Sequence, residues 1–155
     1  MKKKILIVED NLMELERIHN TLKDGGYDGK RASGIAGAEE LIKEEPSQSF
    51  DCLIVDLNMD NTFLPDTLKP KTHGGSLTGW VWLYNVAKPI LTNNPKIIIY
   101  SAFAKELEEE IFNDTTDDKE REYFDTVTVI SKTAEINGSK ILLEKINELL
   151  NRKKK

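Results

Sequence analysis

What the chain has little of narrows its reading first. It has one cysteine, Cys52, so no internal disulfide can form. A single thiol inside an apolar stretch fits a buried core position and a reducing, cytoplasmic setting. It has no long hydrophobic run at its start: ILIV gives way to Glu9 and Asp10 after four residues. That is too short for a signal peptide or a membrane span. It has no basic excess. A net charge of −5 argues against general nucleic-acid binding, which uses a basic face. The lysines at Lys2–Lys4 and Lys153–Lys155 read as solvated ends. There is no internal repeat and no sign of a second domain. With 155 residues, 39% hydrophobic and 32% charged, the chain can build one domain around one core.

What is there is a set of four polar sites, each at the end of a short apolar run. ILIV precedes Glu9 and Asp10, CLIV precedes Asp56, IIIY precedes Ser101, and VTVI precedes Ser131 and Lys132. Such runs read as buried parallel strands. Ligands of open α/β sheets bind beyond the carboxyl ends of the strands. If the strands are neighbours, Glu9, Asp10, Asp56, Ser101 and Lys132 converge on one pocket. Three carboxylates suit a hard cation such as Mg²⁺. A hydroxyl and an ammonium suit phosphoryl oxygens. One carboxylate remains as a nucleophile.

Between these runs the pattern alternates strand and helix, which predicts a parallel sheet covered on both faces. Strands are expected at 4–8, 27–32, 51–57, 96–100 and 126–130, the second polar enough to be an edge. Helices are expected at 12–23, 35–44, 80–91, from 105 onward, and 139–151. Asn11 with Glu14 three residues on suggests a capping box for the first, and Pro46 ends the second. Residues 61–78 contain Pro65, Pro70, Gly74 and Gly75 and show neither period. They read as a long inserted loop, either a variable surface loop or a partner-docking lid, with His73 in it a solvated residue. Residues 113–124, which include NDTTDDKERE, interrupt the fourth helix and read as a second insertion or as an acidic, solvated extension of it. Trp80 and Trp82 point to different helix faces, one to the core and the other a candidate partner anchor.

These residues resemble the receiver domain of bacterial response regulators over nearly the whole chain. KKKILIVEDN is similar to the first strand with its acid pair, and DCLIVDLNMD to the strand presenting the phospho-accepting aspartate. IIIYSAF is similar to the strand ending in Ser or Thr, and VTVISKT to the strand with the lysine. The resemblance implies a flavodoxin-like, doubly wound, five-stranded parallel sheet in the order 2-1-3-4-5. It implies that Asp56 takes a phosphoryl group from a phosphohistidine or a small phosphodonor. Glu9, Asp10, Asp56 and the backbone carbonyl of Asn58 would hold Mg²⁺. Lys132 would pair with the phosphoryl oxygens, and Ser101 would swing its hydroxyl toward them. The implied partners are a histidine kinase or histidine phosphotransfer protein and a downstream protein effector, with neither nucleic acid nor membrane contacted. The expected chain is a stand-alone cytoplasmic signalling receiver of a two-component phosphorelay, not a turnover enzyme.

Some positions depart from that pattern. Thr133 stands where the family has a proline after the lysine. Val129 stands where many receivers carry a switch aromatic. Phe103 and Asn58 are placed to modulate phosphoryl lifetime. Two other classes compete: a phosphorylation-independent receiver-like adaptor, and a Toprim-type Mg²⁺ nuclease or primase. The last leaves Ser101 and Lys132 without a role.

Overall fold

The computed structural model describes residues 2–44, 50–114, 117–132 and 139–151. Five strands, β1 (Lys4–Val8), β2 (Asp28–Ala32), β3 (Cys52–Val55), β4 (Lys96–Ser101) and β5 (Thr128–Ser131), form one parallel sheet. Its order is β2-β1-β3-β4-β5, the doubly wound flavodoxin-like α/β arrangement that the resemblance to receiver domains implies. The polar β2 is an edge strand, as its composition suggests. Along each strand the side chains alternate between two cores. Leu6, Val8, Leu53, Val55, Ile97 and Ile99 face one. Ile5, Ile7, the fully buried Cys52, Ile54, Ile98 and Ile130 face the other.

The helices cover both faces. α1 (Leu12–Asp24) buries Leu15, Ile18 and Leu22 on the second core, where Leu142 and Ile146 of α7 (Lys140–Asn151) join them. Asn11 caps α1, its Oδ1 accepting the Glu14 N–H at 3.0 Å. Gly26, with φ of 89°, lets the chain turn back into β2. α2 (Ile35–Glu44) packs Ile35, Ala38 and Ile42 on the first core; Pro46 lies outside the described residues.

The third helical stretch differs from a plain helix. α3 (Thr78–Trp82) runs into a π turn (Leu83–Ala87) and then α4 (Lys88–Ile90). Pro89 has no N–H to give to the turn before it, and the wider turn meets it there. The Asn85 amide donates to the Val81 carbonyl at 2.9 Å. Trp80 and Trp82 are both buried, at 2% and 1% exposure, so neither is a free anchor. Trp80 donates its indole N–H to Glu120 at 2.6 Å, which gives the supposed second face a partner.

Residues 61–78 are not structureless. They contain a 3-10 turn (Lys69–Thr72) and lead straight into α3. Buried Thr72 organises them: its Oγ1 accepts from Asn61 Nδ2 at 2.9 Å and from the Gly75 N–H at 3.1 Å, and donates to Lys69 O at 2.8 Å. Leu64 and Leu77 are buried beneath. Neither signal is periodic, so the sequence hid both. His73 is not simply solvated; its Nε2 lies 3.1 Å from Glu110.

α5 (Ala104–Glu109) passes into a second π turn (Glu110–Asp114). The next described element is α6 (Asp118–Phe124), capped by its own Asp117 side chain. Asp117 thus starts α6 as a helix with its own cap, and Glu120 is engaged with Trp80 rather than solvated.

Candidate functional site

The register aligns the strand ends. Val8 sits opposite Val55, Val55 opposite Ile99, and Ser101 opposite Ser131. The ladder extends one residue further: the Glu9 N–H donates to Ala32 O, and the Asp56 N–H to Val8 O at 3.0 Å. Glu9 and Asp56 are therefore held by main-chain bonds at the same level, and both are buried.

Lys132, one residue past β5, reaches across to them. Its Nζ is 2.7 Å from Glu9 Oε1, 3.3 Å from Glu14 Oε1 and 3.4 Å from Asp56 Oδ2. The ammonium also lies 5.4 Å from the centre of the Tyr100 ring, within cation–π range. Asp56 Oδ1 accepts the Leu57 N–H at 2.7 Å, so Oδ2 is the oxygen turned to the cation. Glu9 Oε2 accepts the Asn11 N–H at 3.1 Å.

The charges follow from this packing. Burial, then the charge of Asp56, push the Glu9 carboxyl up to about 7 against the pull of Lys132. Burial alone would lower the Lys132 pKa, but Asp56, Glu9 and Glu14 outweigh it and raise it. The hydrogen bond from Arg17 holds Glu14 below the usual carboxylate range, with burial opposing and Lys132 assisting.

The other expected residues are less tightly gathered. Asp10 is exposed and accepts the Asp60 N–H at 3.3 Å. Ser101 is fully buried at the end of β4, its Oγ accepting the Phe103 N–H at 3.1 Å. Phe103 and Val129 are half-buried against the first core. Asn58 is exposed beside Asp56. Thr133 lies outside the described residues.

Carboxylate oxygens are the donors a Mg²⁺ ion prefers, and Glu9, Asp10 and Asp56 supply them. They are not gathered as a ready cage. Among the described residues, no three acidic, histidine or cysteine side chains stand close enough to hold a metal. Lys132 instead supplies the positive charge between Glu9 and Asp56.

Two residues of the site were not foreseen, Glu14 and Arg17. Their three-residue spacing on a helix signals a mutual pair. Nothing local signals that Glu14 also meets Lys132.

This architecture is the fold of response regulator receiver domains. No protein-family model and no curated protein sequence matches the chain; the likeness is to solved structures. The Francisella response regulator 1452 receiver domain is 20% identical, over 99% of this chain and 100% of that one, with a TM-score of 0.62. A response regulator receiver domain protein from Clostridium thermocellum is 21% identical over 97% and 96%, with a TM-score of 0.64. The response regulator TrrA of Thermotoga maritima, solved in complex with Mg²⁺-BeF, is 20% identical over 96% and 99%, with a TM-score of 0.60. Among the described residues, no helix is long and apolar enough to cross a membrane.

Proposed function

We propose that this chain is a receiver of two-component phosphorelay signalling that is phosphorylated on Asp56 with Mg²⁺ as cofactor. One observation carries the reading. The buried carboxylate of Asp56 stands at the end of the central strand with one oxygen 3.4 Å from the ammonium of Lys132. A nucleophile and a cation for phosphoryl oxygens then share one site.

Asp56 Oδ2 forms the new bond to phosphorus. The bond from phosphorus to a phosphohistidine nitrogen, or to the acetate oxygen of acetyl phosphate, breaks, and its electron pair leaves with the imidazole or acetate. Lys132 pairs with the phosphoryl oxygens. Ser101 gives up the Phe103 N–H and donates its hydroxyl to the same group. Glu9, Asp10, Asp56 and the Asn58 carbonyl would hold Mg²⁺, which when bound neutralises charge on the transferred group and aligns it. The added charge of about −1.5 to −2 shifts the loop after β4. Phe103 and Asn58, each two residues past a site residue in the sequence, tune how fast water removes the group, and Thr133, next after Lys132 in the sequence, is a third candidate modulator. The partners are a histidine kinase or phosphotransfer protein and a protein effector, with residues 61–78 an insertion beside the site. The chain acts as a signalling receiver rather than a turnover enzyme.

The test is incubation with acetyl phosphate and Mg²⁺ followed by intact mass. Wild type gains one phosphate and Asp56→Asn gains none; equal gain in both proteins refutes Asp56 as acceptor. The receiver-like adaptor is the second reading, favoured by the closer pairing of Lys132 with Glu9 than with Asp56. A wild type that takes no phosphate under any metal condition selects it.

A further inference from the structure

Lys132 faces three carboxylates, and only Glu9 and Asp56 have so far been given work. The third, Glu14, is placed unusually. A capping-box glutamate reaches back to the N–H of the N-cap residue, but here Glu9 takes the Asn11 N–H. The Glu14 side chain is released from the cap and turned into the site.

Arg17 holds it there. Arg17 Nε and Nη2 donate to the two Glu14 oxygens at 3.1 and 2.9 Å. The oxygen that accepts from Nη2 is the one lying 3.3 Å from Lys132 Nζ. Arg17 is itself fixed on its far side. Nη1 donates to Ser139 Oγ, and Nη2 approaches the Tyr100 hydroxyl at 3.4 Å. One carboxylate is thus shared between a guanidinium anchored to two other elements and the ammonium of the site.

We propose that Glu14 is a positioning residue: shared between Arg17 and Lys132, it draws the ammonium away from Asp56 and so sets how readily the site takes a phosphoryl group. The proposal rests on the receiver reading above. When phosphoryl oxygens arrive, Lys132 turns to them and its contact with Glu14 lengthens. Arg17 decides how hard Glu14 holds on, because a carboxylate oxygen committed to a guanidinium has less to offer the ammonium.

Glu14→Gln, Arg17→Gln and the double variant test this by their initial rates of labelling with acetyl phosphate and Mg²⁺. Glu14→Gln labels faster, by roughly threefold for a partly exposed ion pair. Arg17→Gln labels more slowly, since Glu14 then serves Lys132 alone. The double variant matches Glu14→Gln, because without the carboxylate Arg17 has nothing to restrain. A pure charge effect returns the double variant to the wild-type rate and overturns the proposal. Slowing in both single variants marks a merely structural pair and overturns it too.

A second readout needs neither phosphate nor metal. The ¹H–¹⁵N signal of the Lys132 ammonium moves in Glu14→Gln if the contact positions it; an unmoved signal refutes the proposal. If the signal moves but the wild type takes no phosphate, the contact with Glu14 stands and the receiver reading falls.

Discussion

Replacing Gly79 by alanine puts a methyl group where the chain has no room. A β-carbon at Gly79 would lie 1.9 Å from the Asp56 carbonyl oxygen, 2.9 Å from its carbonyl carbon and 3.1 Å from Leu57 Cα. Non-bonded carbons settle at about 3.5–4.0 Å, and these atoms are backbone, which cannot rotate aside. The start of α3 and the end of β3 must therefore separate, and the Gly79 N–H bond to Leu57 O, 2.9 Å long, is stretched as they do. Overpacking of this kind costs about 1–3 kcal/mol. Alanine's helix preference returns about 0.8–1.0 kcal/mol at most, and less in a first turn. The expected result is a loss of about 1–2 kcal/mol, which is about 2–8 °C in Tm for a chain of this size. Gly37→Ala is the matched control. Its β-carbon would meet Ala32 Cβ at 3.9 Å, an ordinary contact, and the substitution stabilises α2 by about 0.5–1 kcal/mol. Urea unfolding of both variants measures the contrast. A Gly79→Ala protein as stable as wild type would show that α3 does not approach Asp56 this closely. Because the displaced atoms belong to Asp56, phosphate labelling should fall in Gly79→Ala and hold in Gly37→Ala.

Other outcomes follow from the same geometry. Thr72→Val removes the hydroxyl that Asn61 and Gly75 donate to and should cost about 1–3 kcal/mol; an unchanged urea midpoint would contradict its role in ordering residues 61–78. Ser101→Ala leaves Asp56 and Lys132 in place, so labelling persists, but the amide-exchange response of residues 101–112 to a beryllofluoride phosphate mimic should shrink. A full response in that variant would remove Ser101 from the switch. Glu9, pushed up to about 7, must lose its proton before it can hold a cation. Mg²⁺ affinity should therefore rise between about pH 6 and about pH 8 and level off above; calorimetry giving equal affinity at both would exclude Glu9 as a ligand.

The strands and the residues at their carboxyl ends were legible because each is a local pattern: a run of apolar residues and then a polar one. Even β2, charged along its length, was readable as an edge. Asn11 was readable as a cap from its neighbours alone. What could not be read depends on contacts between distant residues. That both Trp80 and Trp82 are buried has no signature in the helix period, and Glu120, which accepts the indole N–H of Trp80, lies forty residues further along the chain. The order of residues 61–78 comes from one threonine bonding to three other residues. In the site, residue types predicted an acid–lysine meeting. They could not show that Lys132 approaches Glu9 more closely than Asp56, or that Glu14 competes for it.

Cys52, sealed inside β3, makes the folded chain inert to thiol reagents. Burial pushes its thiol up to about 12, and the thiolate is the reactive form. A cysteine introduced at Phe63, which is 71% exposed, would carry a dye or spin label while Cys52 stayed silent in the folded protein. In the unsubstituted chain the same atom serves as a clock. It becomes reactive when the central strand opens, so the rate of its modification under native conditions reports how often the sheet comes apart.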